Sequence, residues 1–426
     1  MKENGKKALK QTLGLWSATA INVGAIIGGG IFVVTGIVAG LAGSALVVSM
    51  ILAATIALLT ALSFVQLAAW QPVEGSGYEY VRQLISPFAG FLSGWMWIIA
   101  NTFGGAAVSL GFAFYLAGVI PGIPSNIVAA FTCLAFTALN FVGIRQSAIV
   151  NNVLVAIKLT VLGFFVVLGS AHANSSNFIP FEPLSSGVLF GAYFIFFAYG
   201  GFARTTVIAE EIKDAKQNVP KAILLSLAIS TVVYIIVGIV AVGLVGAGSL
   251  ASSNSPLADA ISTTGSPLAA QIVSLGGLVA TASVLLTSIL GVSRMAFSMA
   301  RRKDLPQALS SINMKFGTPH VSIWTIGSAM VLLVLLADLT SIVVVSTFAL
   351  LFWYVLVNAA ALKLKQQEMK RMGLLSMLGL AACSMLLIVV LFIAPAAWIA
   401  GVVCLVIGAV FYIIRTRFQD RRHLTK

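Results

Sequence analysis

The stretch GAIIGGGIFVVTG, residues 24–36, lies inside the first long apolar run of the chain, and five of its thirteen residues are glycine. Glycine is the poorest helix former after proline, so a segment that otherwise reads as a membrane helix is weakened at its midpoint. A second apolar run carries the same weakness in FFAYGGFARTT, residues 196–206. How these two runs are related decides the fold.

The chain has 426 residues, 59% of them hydrophobic and 9% charged, with a mean hydropathy of +1.05. A soluble domain carries about 25% charged residues. Here the charges gather between apolar runs near 14–40, 44–70, 86–119, 125–143, 147–169, 186–209, 220–246, 269–299, 321–337, 341–362, 373–393 and 396–415. At 1.5 Å per residue such runs cross a hydrocarbon core about 30 Å thick. The pattern predicts an all-α integral membrane protein with 12 transmembrane helices in a lipid bilayer.

With the N-terminus inside, 23 of the 25 lysines and arginines fall on the inner side and none in an outer loop. The positive-inside rule then places both termini in the cytoplasm of a cell-membrane protein. The net charge of +13 follows from that orientation, and no nucleic-acid partner is expected. The basic N-terminus leads into a run without a small-residue cleavage site, so it reads as retained. Cys133, Cys383 and Cys404 are far apart and suggest neither a disulfide framework nor a metal site.

One broken helix and four unbroken ones separate Gly29 from Gly200. A five-helix unit repeated upside down would bring the two breaks together at mid-membrane. Unwound backbone at that depth is tolerable only where it lines a cavity. Its N–H groups favour a carboxylate and its carbonyls a cation, and an α-amino acid supplies both. The competing reading of the glycines is close helix packing.

The residues resemble the amino acid–polyamine–organocation (APC) transporters. The matching pieces are INVGAIIGGGIF at 21–32, PVEGSGYEYVR at 72–82, FFAYGGF at 196–202, AEEIKDAKQNVPKAI at 209–223 and MARRKDLPQAL at 299–309. This resemblance implies a five-plus-five inverted repeat, the LeuT-like fold, with discontinuous helices 1 and 6. Residues 1–13 would be a cytoplasmic N-terminus, 14–169 and 186–362 the two repeats, 373–415 helices 11 and 12, and 416–426 a cytoplasmic tail. It further implies an α-carboxylate held by the amides of Gly28, Gly29 and Gly30, and an α-amino group held by the carbonyls of Ile26, Phe197 and Gly200. The Phe197 ring would gate the substrate. Asn101 falls where a polar residue often faces the site, or it bonds another helix. Where relatives often carry an acid after the second glycine pair, this chain has Ala203 followed by Arg204.

Lys158 lies in the middle of VLVAIKLTVLGFF, residues 153–165, with no acid in the same span. A charge in hydrocarbon costs about 2.5–3.5 kcal/mol or more, so its protonation should respond to which side has access. Snorkelling to the interface is the competing reading. The resemblance places this ammonium against the helix 1 backbone near Val23 and Gly24, as a proton-coupling group in place of a sodium ion. Arg204 either faces the inner vestibule, contacts an acidic substrate or pairs with Glu210 or Glu211; an ion pair at an inner gate is preferred.

These readings predict a secondary active amino acid transporter working by alternating access, with protons as the coupling ion. The alternatives are a sodium-independent amino acid exchanger or a polyamine transporter, and more remotely a channel. No enzymatic role or cofactor is expected: no nucleophile–base pair appears at membrane depth, and no Gly-x-x-x-x-Gly-Lys-Ser/Thr loop is present. Oligomeric state and the particular substrate stay open.

Overall fold

A computed structural model describes residues 11–72, 75–120, 122–143, 148–364 and 370–424. The N-terminal lysines and Arg145 lie outside the described residues, as does the side chain of Glu210. Among the described residues the regular secondary structure is helical, apart from one isolated bridge between Leu13 and Ile212. The helices are α1 (Leu15–Ile26), α2 (Thr35–Ala42), α3 (Leu46–Trp70), α4 (Ser76–Leu84), α5 (Pro87–Val119), α6 (Ser125–Val142), α7 (Ala148–Ser170) and α8 (Ser186–Tyr199). After these come α9 (Arg204–Val207), α10 (Ala215–Ala251), α11 (Pro256–Ser262), α12 (Pro267–Arg301), α13 (His320–Leu336), α14 (Leu339–Leu364), α15 (Lys370–Ile393) and α16 (Pro395–Leu424).

Nine helical stretches among the described residues are long and apolar enough to cross a membrane, the first of them the interrupted run Leu15–Trp70. Two shorter apolar helices, α8 and α13, accompany them. Large apolar side chains stand exposed on the outside, among them Phe131, Val167, Leu332 and Ile388. Such a belt would be an aggregation hazard in water and is the required surface in lipid.

The helix ends follow local chemistry. Ser86 and Ser266 cap α5 and α12, their hydroxyls accepting from the amides of Ala89 and Ala269, and each is followed by a proline at the first helical position. That pairing is the expected start signal. Gly143 closes α6 with φ 82°, a left-handed conformation that glycine adopts without strain.

Helix extends beyond the apolar runs in two places. Pro220 does not start its helix: α10 begins at Ala215, behind Asp214 at φ 47°, and Pro220 falls in its second turn. A proline there removes one helical donor, at the end of the helix rather than in the middle. The segment after the second span is helical too, as α4, with Tyr78, Tyr80 and Val81 buried and Glu79 and Arg82 in ion pairs.

Where the glycine stretches were read as breaks, regular helix stops. Helix α1 ends at Ile26, and a five-residue π turn, Gly30–Val34, leads into α2. Helix α8 ends at Tyr199, and a turn through Gly200 and Gly201 leads into the short α9. The interruptions touch each other. A Cβ on Gly201 would sit 2.6 Å from Ile26 N, and one on Gly30 would sit 2.6 Å from Ala198 Cα. At these two positions only glycine lets the backbones approach so closely, as the packing reading of the glycines requires.

Candidate functional site at the crossing of the two interrupted helices

Between the interruptions and the faces of α5, α12 and α14 lies a cavity of about 60 Å³. All seven residues expected to contact substrate line it, and Arg204 lines it with them. The first wall is backbone: residues 28–30 carry no side chains, and the first amides of a helix lack intrahelical acceptors. Side chains shape the rest, with Val108 on α5, Val284 and Ser288 on α12, and Ser346 and Leu350 on α14. Phe197 lies across from Gly104, a Cβ at Gly104 falling 3.4 Å from its ring.

The carbonyls of the interruption already have partners. Tyr234 of α10 aims its buried hydroxyl at Ile26 O (2.7 Å) and Ala198 O (3.2 Å). Tyr354 of α14 donates to Gly200 O at 3.3 Å. Phe197 O accepts from Gly200 N at 3.2 Å. A carbonyl has two lone pairs, so each retains one acceptor position for a ligand.

Lys158 is 0% exposed, which removes snorkelling as its explanation. Its Nζ donates to Gly24 O and Ile27 O, both at 3.0 Å. These carbonyls belong to the C-terminal end of α1, where the helix dipole favours a cation.

Arg204 is held by residues of α5. Its Nη2 donates to Asn101 Oδ1 at 3.3 Å, and its guanidinium stands 5.8 Å from the centre of the Trp97 ring. No ion pair to Glu211 is present among the described residues. The side chain reaches Asn101 and Trp97 of α5 and stands against Gly291 of α12. Asn101 is engaged twice, since its Nδ2 also donates to Trp97 O at 2.9 Å.

At Glu211 it is the backbone that acts. Its carbonyl accepts from the amides of Thr12 and Leu13 at 3.1 Å each, and Lys213 N donates to Leu13 O at 2.9 Å. This ties the segment before α1 to the segment after α9.

The sequence reading missed Tyr234 and Asn22. Asn22 holds α1 to α9, donating to Thr205 Oγ1 (3.1 Å) and accepting from Thr205 N (2.9 Å). A lone Asn deep in an apolar run was the available signal, because a polar amide buried in lipid needs a partner.

A family model described as amino acid permease matches residues 13–415. An uncharacterized transporter of Mycobacterium tuberculosis is 34% identical over 421 residues, 98% of this chain and 94% of the relative. A branched-chain amino acid permease of Bacillus subtilis is 30% identical over 448 residues, 98% of this chain and 96% of the relative. A methylthioribose transporter of the same organism is 28% identical, covering 97% and 95%.

Proposed function

The chain belongs to the amino acid permease family, and on that premise we propose that it is a secondary active amino acid transporter coupled to protons. The observation that carries this reading is the contact of two interrupted helices around one cavity, with a buried ammonium on the carbonyls at the end of the first. Interrupted helices supply both halves of a zwitterion site: amides of residues 28–30 for the carboxylate, and the spare acceptor positions of Ile26, Phe197 and Gly200 for the amine.

In this reading the run Leu15–Trp70 crosses the membrane twice and α8 and α13 each cross once, for twelve crossings in all. Residues 14–169 and 186–362 are inverted repeats, and both termini are in the cytoplasm of a cell-membrane protein. Alternating access moves the crossed interruptions against the surrounding helices, and the contact between residues 12–13 and 211–213 closes the inner side. Glu210 and Glu211 take part in that closure through their segment. Lys158 couples transport to protons: as ammonium it fixes the end of α1, and loss of its charge weakens that hold.

The test is uptake of labelled amino acids into liposomes containing only this protein, with and without an inward proton gradient. Gradient-driven uptake into empty vesicles is expected. Uptake that ignores the gradient and needs internal amino acid makes the protein an exchanger. A sustained single-channel current overturns the transporter reading.

A further inference from the structure

We propose that Arg204 selects amino acids whose side chain ends in a carboxylate, the guanidinium pairing with that second carboxylate inside the cavity. This deepens the amino acid transporter reading above and rests on it. A guanidinium offers five N–H donors. The partners of this one are a single amide oxygen at 3.3 Å and the face of an indole. Nη1 is enclosed by protein and has no hydrogen-bond partner among the described residues.

The cavity lining contains no Asp or Glu. The ion pairs among the described residues join Arg82, Arg302 and Arg415 to Glu79 and Asp304, at the ends of the spans or between them. A buried cation without a counter-ion is costly. A ligand carboxylate in the cavity that Arg204 lines removes that cost by supplying the counter-ion.

The other cation of the bundle cannot take this role, since Lys158 Nζ is held by Gly24 O and Ile27 O. Ser346 is committed as well, donating to Ala100 O at 2.7 Å. The backbone amides of residues 28–30 belong to the other wall and suit the α-carboxylate, which leaves Arg204 for the far end of the ligand. A cationic side chain would meet like charge there, and an aliphatic one would leave the guanidinium without a counter-ion.

The experiment is competitive binding to the full-length purified protein, comparing two near-isosteric pairs that differ in charge: aspartate against asparagine and glutamate against glutamine. Leucine and arginine complete the panel. One acidic member is expected to bind about tenfold or more tightly than its amide, a difference of about 1.4 kcal/mol. Arg204→Gln should erase that preference, bringing the acid and its amide to similar affinity, and Arg204→Lys should restore part of it. Equal binding of acid and amide by the native protein, or preference for leucine or arginine, overturns the proposal even where neither variant folds. So does an Arg204→Gln protein that loses acidic and neutral ligands alike, which marks an α-carboxylate contact. Binding of no amino acid at all removes the transporter reading and this proposal together.

Discussion

Single residues were legible in the sequence where their type is expensive in lipid. Lys158 and the paired glycines stood out because hydrocarbon tolerates neither a free charge nor unsatisfied backbone. Tyr234 did not stand out: a tyrosine in an apolar run is ordinary, and its two acceptors lie 208 and 36 residues away in the chain. The direction of Arg204 was equally hidden, since one short helix decides whether it faces loop or cavity. Gly29→Val tests the first wall. A Cβ at that position already falls 2.9 Å from Val108 Cγ2, so the two further methyl groups must intrude on the cavity or displace α5. Substrate binding should be abolished while membrane insertion, measured by yield in the membrane fraction, is retained. Lys158→Gln should flatten the pH dependence of uptake, because a group that cannot change charge has replaced one that can. Uptake that keeps the native pH profile would remove Lys158 from the coupling step.

Elements were legible as apolar runs, and their interruptions as clusters of glycine, but not the bonds that hold the interruptions in register. Two side chains act across long stretches of sequence. Asn22 joins α1 to α9 across 183 residues of sequence, and the Tyr234 hydroxyl faces the carbonyls that end α1 and α8 from α10. Tyr234→Phe leaves both carbonyls without that donor, at a cost of about 1–3 kcal/mol for a buried unsatisfied group. Its melting temperature in detergent should fall, and bound substrate should restore more of the loss than in the native protein, since ligand binding favours the ordered crossing. Helix α4 was missed for a different reason: it is amphipathic and short, so neither length nor continuous hydrophobicity marks it, and its burial depends on ion pairs with distant chain segments.

At the scale of the whole molecule, the distribution of charge was the clearest signal, and the tertiary role of those charges was invisible. Asp304, 1% exposed, accepts from Arg82 (2.8 Å), Arg415 (2.5 Å) and the Tyr78 hydroxyl (2.5 Å). One carboxylate therefore ties α4, the end of α12 and α16 together. Burial and the neighbouring carboxylate push the pKa of Tyr78 up, so the phenol stays a donor at physiological pH. Removing one member of a buried ion pair costs about 3–5 kcal/mol, and the partial exposure of both arginines puts Asp304→Asn at the lower end. The variant should melt earlier and expose α16 to proteolysis first. The orientation read from the charges is tested separately: a reporter fluorescent only in the cytoplasm, fused after residue 426, should stay bright. A final consequence follows from the two kinds of wall in the cavity. The face built by residues 28–30 has no side chains to vary, whereas Val108, Val284, Ser288, Ser346 and Leu350 each present a side chain to the cavity, Val108, Val284 and Leu350 while also packing on glycines of the crossing. In the proposed reading, substitutions on three helices can thus retune what is carried while the backbone grip on the shared α-carboxylate stays the same.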